Sequence, residues 1–457
     1  MKRLKHKYLR VFAILTALCL AFTACTYEEE DLFDQSAAQR LNASAKEYRD
    51  LLTSSQYGWA MEYWPNNGTM GGYVFTAKFA EDGSVEMCSE EDITYDGKTY
   101  EPGDAFTSNY SVKSEQGTML TFDTYNPMFH KFSEPLGSTN VSGYNSDYEF
   151  SFMRTSENQD TIYFRGKKYG QEMKMTRLEE SYKTYIEKAG IIDKMFRILD
   201  LSEIQINGQS YPISISNHRI MIEVDDQKDT CNFIVNNNGF KLSHPIKISD
   251  NISISEFIRE EHRFYDPKSN ATIHIPTLYE QICTPKKGLY WLFTNEEAKT
   301  YLSFPVKEKL CARLYDLYLK IFSGEPYWDL GMGYPLSWGY GYNTYSTSYF
   351  GYYLVFTFME ATFMFIGADQ IKISITADDI NSNNPKISFE YKGKGYTGSN
   401  ELTTGFINFV SFIANNNPYR VEVDNTLVAQ NIKFVSVNDS KIWFNWFLNT
   451  TVYENNR

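Results

Sequence analysis

Beyond residue 35 the chain is dominated by apolar residues that recur every second position. Tyr73, Phe75, Ala77 and Phe79 fall on one face of a strand, and Asp82-Gly83 supplies a tight turn into Ser84-Val85-Glu86-Met87. The same period continues through Leu120 and Phe122, Tyr148, Phe150 and Phe152, Ile162 and Phe164, and Met173 and Met175. Two stretches break it with helical spacing. Ala37, Leu41, Ala45, Tyr48 and Leu52 form one apolar stripe, with Asp34 placed to cap its start and Gly58 to end it. Tyr182, Ile186, Ala189, Ile192, Phe196 and Leu199 form another, expected to be the hinge between two modules. Gly190 inside it works against helix by about 1 kcal/mol relative to alanine.

The rest of the chain repeats the alternation. Ile204 to Ile206 and Tyr211 to Ile213 flank an Asn207-Gly208 hairpin turn, and Met221 to Val224, Phe233 to Val235 and Phe240 to Leu242 read as further strands. A helix is expected at about Glu308 to Phe322, carrying Leu310, Leu314, Leu317 and Ile321 on one side, and a short one at Phe406 to Ala414. Between and beyond them lie strand-like runs at Phe356 to Ile366, Ile371 to Ile375, Ile387 to Tyr391, Val421 to Val423 and Ile442 to Phe447. The expected fold is therefore α+β but mostly β, with antiparallel meander or barrel-like sheets capped by a few helices. It divides into an N-terminal β-rich module at 36–180 and a C-terminal β-rich module with helices at 181–457.

The first residues follow a different rule. Lys2, Arg3, Lys5, Lys7 and Arg10 precede an apolar run from Val11 to Ala24, the layout of a secretory signal over 1–24. The run is shorter than the roughly 20 residues a membrane helix needs. Phe22-Thr23-Ala24-Cys25 resembles the bacterial lipobox, in which cleavage leaves a cysteine that is then lipidated, although that pattern usually has Leu where Phe22 stands. Residues 25–35 are then a lipidated acidic tether, with Cys25 as the anchor; several acyl chains on one cysteine suffice for stable attachment. The alternative is an ordinary secreted protein in which Cys25 is incidental. Glu28-Glu29-Glu30-Asp31 is either a plain solvated spacer or a signal similar to the acidic export address of Bacteroidetes surface lipoproteins.

Composition narrows the partners. The chain has 44 basic and 57 acidic residues, and loss of the leader's five lysines and arginines leaves 39 against 57. Such an acidic body is unsuited to nucleic acid or an anionic membrane face, so contact with membrane is expected through the N-terminal lipid alone. Aromatic residues make up 16% of the chain, a content that favours sheets. Of the cysteines outside the leader and anchor, Cys88, Cys231, Cys283 and Cys311 show no metal-ligand spacing. Disulfides and buried free thiols are both open readings of them.

No motif for zinc proteolysis, serine hydrolysis or phosphate binding occurs, so neither a catalytic residue nor a metal or other cofactor is assigned. Glu260-Glu261-His262 is poor ligand spacing, because neighbouring residues do not share a face. His130, set between Phe129 and Phe132, reads as a hydrogen-bonded core or rim histidine. One segment stands out: Tyr327 to Phe358 interleaves rings with Gly331, Gly333, Gly339, Gly341 and Gly351. A loop of this kind either packs its rings onto the sheets or offers them to a sugar or protein partner. Trp328, Tyr334, Trp338, Tyr340 and Tyr342 are the candidate ligand-binding residues.

The chain resembles a family of uncharacterised Bacteroidetes lipoproteins, domain of unknown function 4302. The residues that carry the resemblance are Glu30 to Ala37 with Arg40, Tyr57-Gly58-Trp59 with Tyr63, Gly72 to Phe75, Leu120 to Pro127, Arg165 to Lys168, and Asn238 to Leu242 with Pro245. The resemblance implies an outer-membrane, cell-surface location and a connection to nutrient-uptake systems; it brings no activity. Three functions remain: a non-catalytic surface accessory that captures glycan or nutrient or braces uptake proteins, a glycosidase-like hydrolase with a motif-free pair of carboxylates, and a purely structural surface protein. The first is the expected one.

Overall fold

The computed structural model describes residues 36–115, 117–135, 143–224, 227–283, 290–292, 311–321, 336–340, 352–356, 370–394 and 400–449. Among the described residues, three closed antiparallel barrels of eight strands each follow one another along the chain. Closure pairs the first and last strands of each sheet and so leaves no edge open to other chains.

The first barrel is preceded by helix α1 (Ala37–Thr53). Its strands are β1 (Trp59–Tyr63), β2 (Tyr73–Phe79), β3 (Ser84–Ser89), β6 (Phe106–Ser114), β7 (Thr118–Phe122), β8 (Glu149–Thr155), β9 (Thr161–Gly166) and β10 (Glu172–Arg177), while β4 (Ile93–Tyr95) and β5 (Lys98–Tyr100) form a separate hairpin. β1 closes the ring by pairing with β10, Trp59 opposite Arg177 and Tyr63 opposite Met173. Helix α1 ends sooner than Gly58, at Thr53. It is capped by Ser36, whose side chain accepts from Gln39 N–H while Gln39 accepts from the Ser36 amide. The cap is thus Ser36 rather than the expected Asp34; Asp34 lies outside the described residues, together with the leader, Cys25 and the acidic run.

Inside the barrel, Trp59, Tyr63, Phe75, Phe122, Phe129 and Phe150 are fully buried. The Trp59 indole donates to the Leu52 carbonyl of α1 at 2.8 Å, which ties the helix to its barrel. Short helix α2 (Pro127–His130) buries Met128 and Phe129; Asn126 caps it by accepting from Met128 N–H, and Pro127 occupies its first turn. The opposite face of β2 is also buried at two positions: Val74 and Thr76 are as inaccessible as Phe75. The reason lies in helix α3 (Tyr182–Ile198), which packs across the outside of β2 and β3. Gly190 is what lets it approach, because a Cβ there would meet the Pro102 ring at 2.5 Å.

The stretch expected to be a single C-terminal module holds the other two closed sheets. The second barrel comprises β11 (Glu203–Ile206), β12 (Gln209–Ser216), β13 (Arg219–Val224), β14 (Gln227–Asn236), β15 (Gly239–Ser249), β16 (Ile252–Glu260), β17 (Arg263–Tyr265) and β18 (Thr272–His274). Asn207 and Gly208 both have positive φ, as the hairpin turn requires. Phe196 of α3 enters this barrel's aromatic cluster, its ring centroid 5.0 Å from those of Phe233 and Phe240.

Helix α4 (Leu278–Cys283) leads into the third barrel: β19 (Tyr290–Leu292), β20 (Leu336–Tyr340), β21 (Tyr352–Phe356), β22 (Gln370–Ala377), β23 (Lys386–Lys394), β24 (Tyr419–Val423), β25 (Asn431–Ser436) and β26 (Trp443–Asn449). Helices α5 (Ala312–Ile321) and α6 (Asn400–Asn415) accompany it. Phe389, Tyr419, Phe434, Phe444 and Trp446 form its core. Cys88, Cys231, Cys283 and Cys311 are free thiols, which resolves the choice between bridges and buried sulfhydryls. Among the described residues no helix is long and apolar enough to cross a membrane.

Candidate functional site

The expected ligand-binding residues are divided by the structure. Trp328, Tyr334 and Tyr342 lie outside the described residues. Trp338 and Tyr340 are two positions apart on β20, where Trp338 pairs with Trp291 on one side and Leu354 on the other, and Tyr340 with Tyr352. The glycine-rich segment thus contributes two regular strands, β20 and β21, and Gly339 sits inside one of them.

Two other features gather recognition chemistry, and the segment Tyr125 to Phe132 contributes to both. The first is a row of rings on the first barrel. Tyr95 and Tyr125 have ring centroids 5.3 Å apart, Tyr125 and His130 5.5 Å, and His130 and Tyr148 5.3 Å, with successive planes tilted by 32°, 36° and 34°. Tyr95, Tyr125 and Tyr148 are 39%, 36% and 44% exposed. His130 Nδ1 lies 3.1 Å from the backbone amide of Asn126 and 3.2 Å from its carbonyl oxygen, so the backbone of that residue fixes the ring's orientation in the row. Burial holds His130 below the usual histidine range and outweighs the Asn126 backbone and Glu134, so the ring in the row is neutral at pH 7.

The second is a cavity of about 720 Å³ at the junction of the first barrel, α3 and the second barrel, lined among others by Tyr73, Glu91, Lys131, Asp193, Arg197 and His218. Asn217 and His218 form the two-residue turn between β12 and β13, both with positive φ. Glycine usually fills the second position of such a turn. Here a histidine does, and its ring reaches the first barrel. His218 Nδ1 donates to the Gly72 carbonyl at 2.5 Å and Nε2 to Asp193 Oδ1 at 3.0 Å. Both acceptors lack protons to give, so both ring nitrogens carry one and His218 is an imidazolium. Burial alone would lower its pKa; the hydrogen bond and charge of Asp193, with Glu90 and Glu91 behind it, reverse that and raise it to about 9. Arg197 Nη2 lies 2.8 Å from Asp193 Oδ2, and Lys131 Nζ lies 2.7 Å from Glu91 Oε2.

The junction is a close one. The Gly72 amide donates to the Phe233 carbonyl across the seam at 3.0 Å, and Arg219 Nη2 donates to the Thr69 carbonyl at 2.8 Å. A Cβ on Gly71 would stand 2.4 Å from that of His218. Behind the cavity, Glu90 is wholly buried and neither carboxylate oxygen has a hydrogen-bond partner. Burial raises its pKa to about 8, against the pull of His218, so the group is neutral at pH 7.

The sequence does contain a trace of this cluster. Asp193 stands four residues after Ala189 and three before Phe196, on the buried stripe of α3, where an acid needs a partner. His218 sits where a hairpin asks for glycine. Nothing along the chain links either of them to Glu91, more than 100 residues upstream of Asp193.

No curated protein matches the chain. A family model described as domain of unknown function 4302 matches residues 29–261. The match takes in the whole first barrel, α3, all of the residues named at the cavity, and the second barrel as far as the end of β16, leaving β17, β18 and the third barrel beyond it. Covering more than half of the chain, it establishes that this protein belongs to the domain of unknown function 4302 family.

Proposed function

We propose that the protein is a lipid-anchored accessory on the outer-membrane surface, a non-catalytic binder that captures glycan for a nutrient-uptake system. The observation that carries this reading is the row Tyr95, Tyr125, His130 and Tyr148: four rings in sequence, three of them tyrosines more than a third exposed. Aromatic faces give a sugar's C–H surface a rigid partner, and tyrosine adds a hydroxyl at the rim. The lipobox-like Phe22 to Cys25 and the acidic run after it support the location.

Hydrolysis is the weaker reading. It would use two carboxyl groups in opposite protonation states, and Glu90 and Asp193 are such a pair. Glu90, however, has no exposed surface, and Asp193 is engaged by His218 and Arg197. A glycan array probed with residues 36–457 tests the binding reading. Selective binding that is lost in Tyr125→Ala and Tyr148→Ala supports it; no glycan binding, or binding indifferent to both changes, overturns it. Palmitate labelling that depends on Cys25 tests the anchor separately.

A further inference from the structure

We propose that Glu91, Asp193 and His218 form a binding site for one divalent transition-metal ion of the zinc class at the junction of the first two barrels. One donor atom from each residue, a carboxylate oxygen from the two acids and a ring nitrogen from the histidine, lies within 4.8 Å of the others. Two donors about 2.1 Å from a shared ion stand about 3.0–3.4 Å apart, between square and tetrahedral angles. The 3.0 Å between His218 Nε2 and Asp193 Oδ1 falls at the short end of that span.

The surroundings are those of a supported site. Metal-binding side chains are usually held by hydrogen bonds from their remaining atoms. Here Gly72 accepts from His218 Nδ1, Arg197 faces Asp193 Oδ2, and Lys131 pairs with Glu91 Oε2. The ring orientation that presents Nε2 is therefore set by the backbone of the first barrel. The donors come from three different places in the chain: the segment between β3 and β4, helix α3 and the β12–β13 turn. The cavity beside them has room for water to complete the coordination. Buried Glu90, the residue before Glu91, has no hydrogen-bond partner.

One imidazole nitrogen with two carboxylates suits zinc, manganese or ferrous ion and disfavours calcium and copper(I). In the metal-free protein the Nε2 proton occupies the position of the cation. Binding breaks that N–H bond, forms a nitrogen–metal bond from the freed lone pair, and releases one proton to solvent; no electrons are transferred.

The test is a calorimetric titration of chelator-treated residues 36–457 with zinc chloride in two buffers of different ionisation enthalpy, followed by metal analysis after gel filtration. One zinc per chain with about one proton released is expected, and at least a tenfold weaker affinity in Glu91→Gln. Glu91 retains contact with solvent, so this variant keeps its fold where His218→Ala could lose it; circular dichroism checks that. A cobalt-substituted sample is expected to show nitrogen and oxygen ligation without thiolate charge-transfer absorption. No binding, unchanged affinity in Glu91→Gln, or a thiolate band from the free cysteines would each overturn the assignment.

Discussion

His218 of the second barrel donates to Asp193 of α3 across 3.0 Å while its other nitrogen holds the Gly72 carbonyl of the first barrel, so a single imidazolium joins three parts of the molecule. Both side chains are nearly inaccessible, at 6% and 2% exposure. Removing one partner of a buried pair strands the other's charge, at about 3–5 kcal/mol. Asp193→Asn in the metal-free protein is expected to lose stability of that order in urea denaturation, and more than Lys113→Ala, which breaks only a surface ion pair.

The same cluster sets a pH dependence. His218 binds its proton more tightly in the folded state, so the stability it contributes is complete below the ordinary histidine pKa near 6.5 and is lost as pH rises through about 9. Glu90 acts in the same direction: a carboxyl raised to about 8 costs stability as pH climbs from the ordinary value near 4.5. Metal-free protein is therefore expected to show a melting temperature that falls between about pH 6.5 and 9, with a shallower fall in Glu90→Gln. A flat profile across that range would contradict the protonation states given above.

Gly71 and Gly97 separate close approach from backbone strain. Both have positive φ, but a Cβ on Gly71 collides with His218, whereas nothing lies within 4 Å of one on Gly97. Gly71→Ala is expected to cost about 2–4 kcal/mol and Gly97→Ala about 1 kcal/mol, a difference that equilibrium unfolding resolves.

Alanine at Tyr95, Tyr125 or Tyr148 is expected to weaken glycan binding about tenfold each, equivalent to about 1.4 kcal/mol. Because these rings are exposed, thermal stability should stay within about 0.5 kcal/mol of the parent. Tyr125 will be the most sensitive to Tyr→Ala, since its ring lies between those of Tyr95 and His130.

Burial raises the Cys88 and Cys283 thiols to about 12, which leaves almost no thiolate at neutral pH. Neither should be alkylated by iodoacetamide in the native protein, and both should be in denaturant, as read by peptide mass.

Much of this fold is written in short-range patterns. The alternation from Tyr73 to Phe79, the turns at Asp82-Gly83 and Asn207-Gly208, and the stripe from Tyr182 to Leu199 all appear as strands, hairpins and a helix where the pattern placed them. Such features depend on neighbours within a few residues. Closure of each sheet depends on pairs such as Trp59 with Arg177, and alternation carries no information about which strands meet. Burial of Val74 and Thr76 on the second face of β2 depends on a helix more than 100 residues away. The site was the least legible part. Its rings and charges come from isolated positions between 91 and 218, whereas the segment with the densest aromatic run supplies strands β20 and β21.

Helix α3 covers the outer wall of one barrel with Ile186 and Ala189 and fills the aromatic interior of the next with Phe196. Neither barrel is then a detachable unit. A fragment ending at residue 180 would leave Ala60, Val74 and Cys88 uncovered, and one beginning after residue 200 would lack Phe196 beside Phe233. Heat or denaturant should melt the two together in a single transition, and a protease should find no productive cut between them until both have opened.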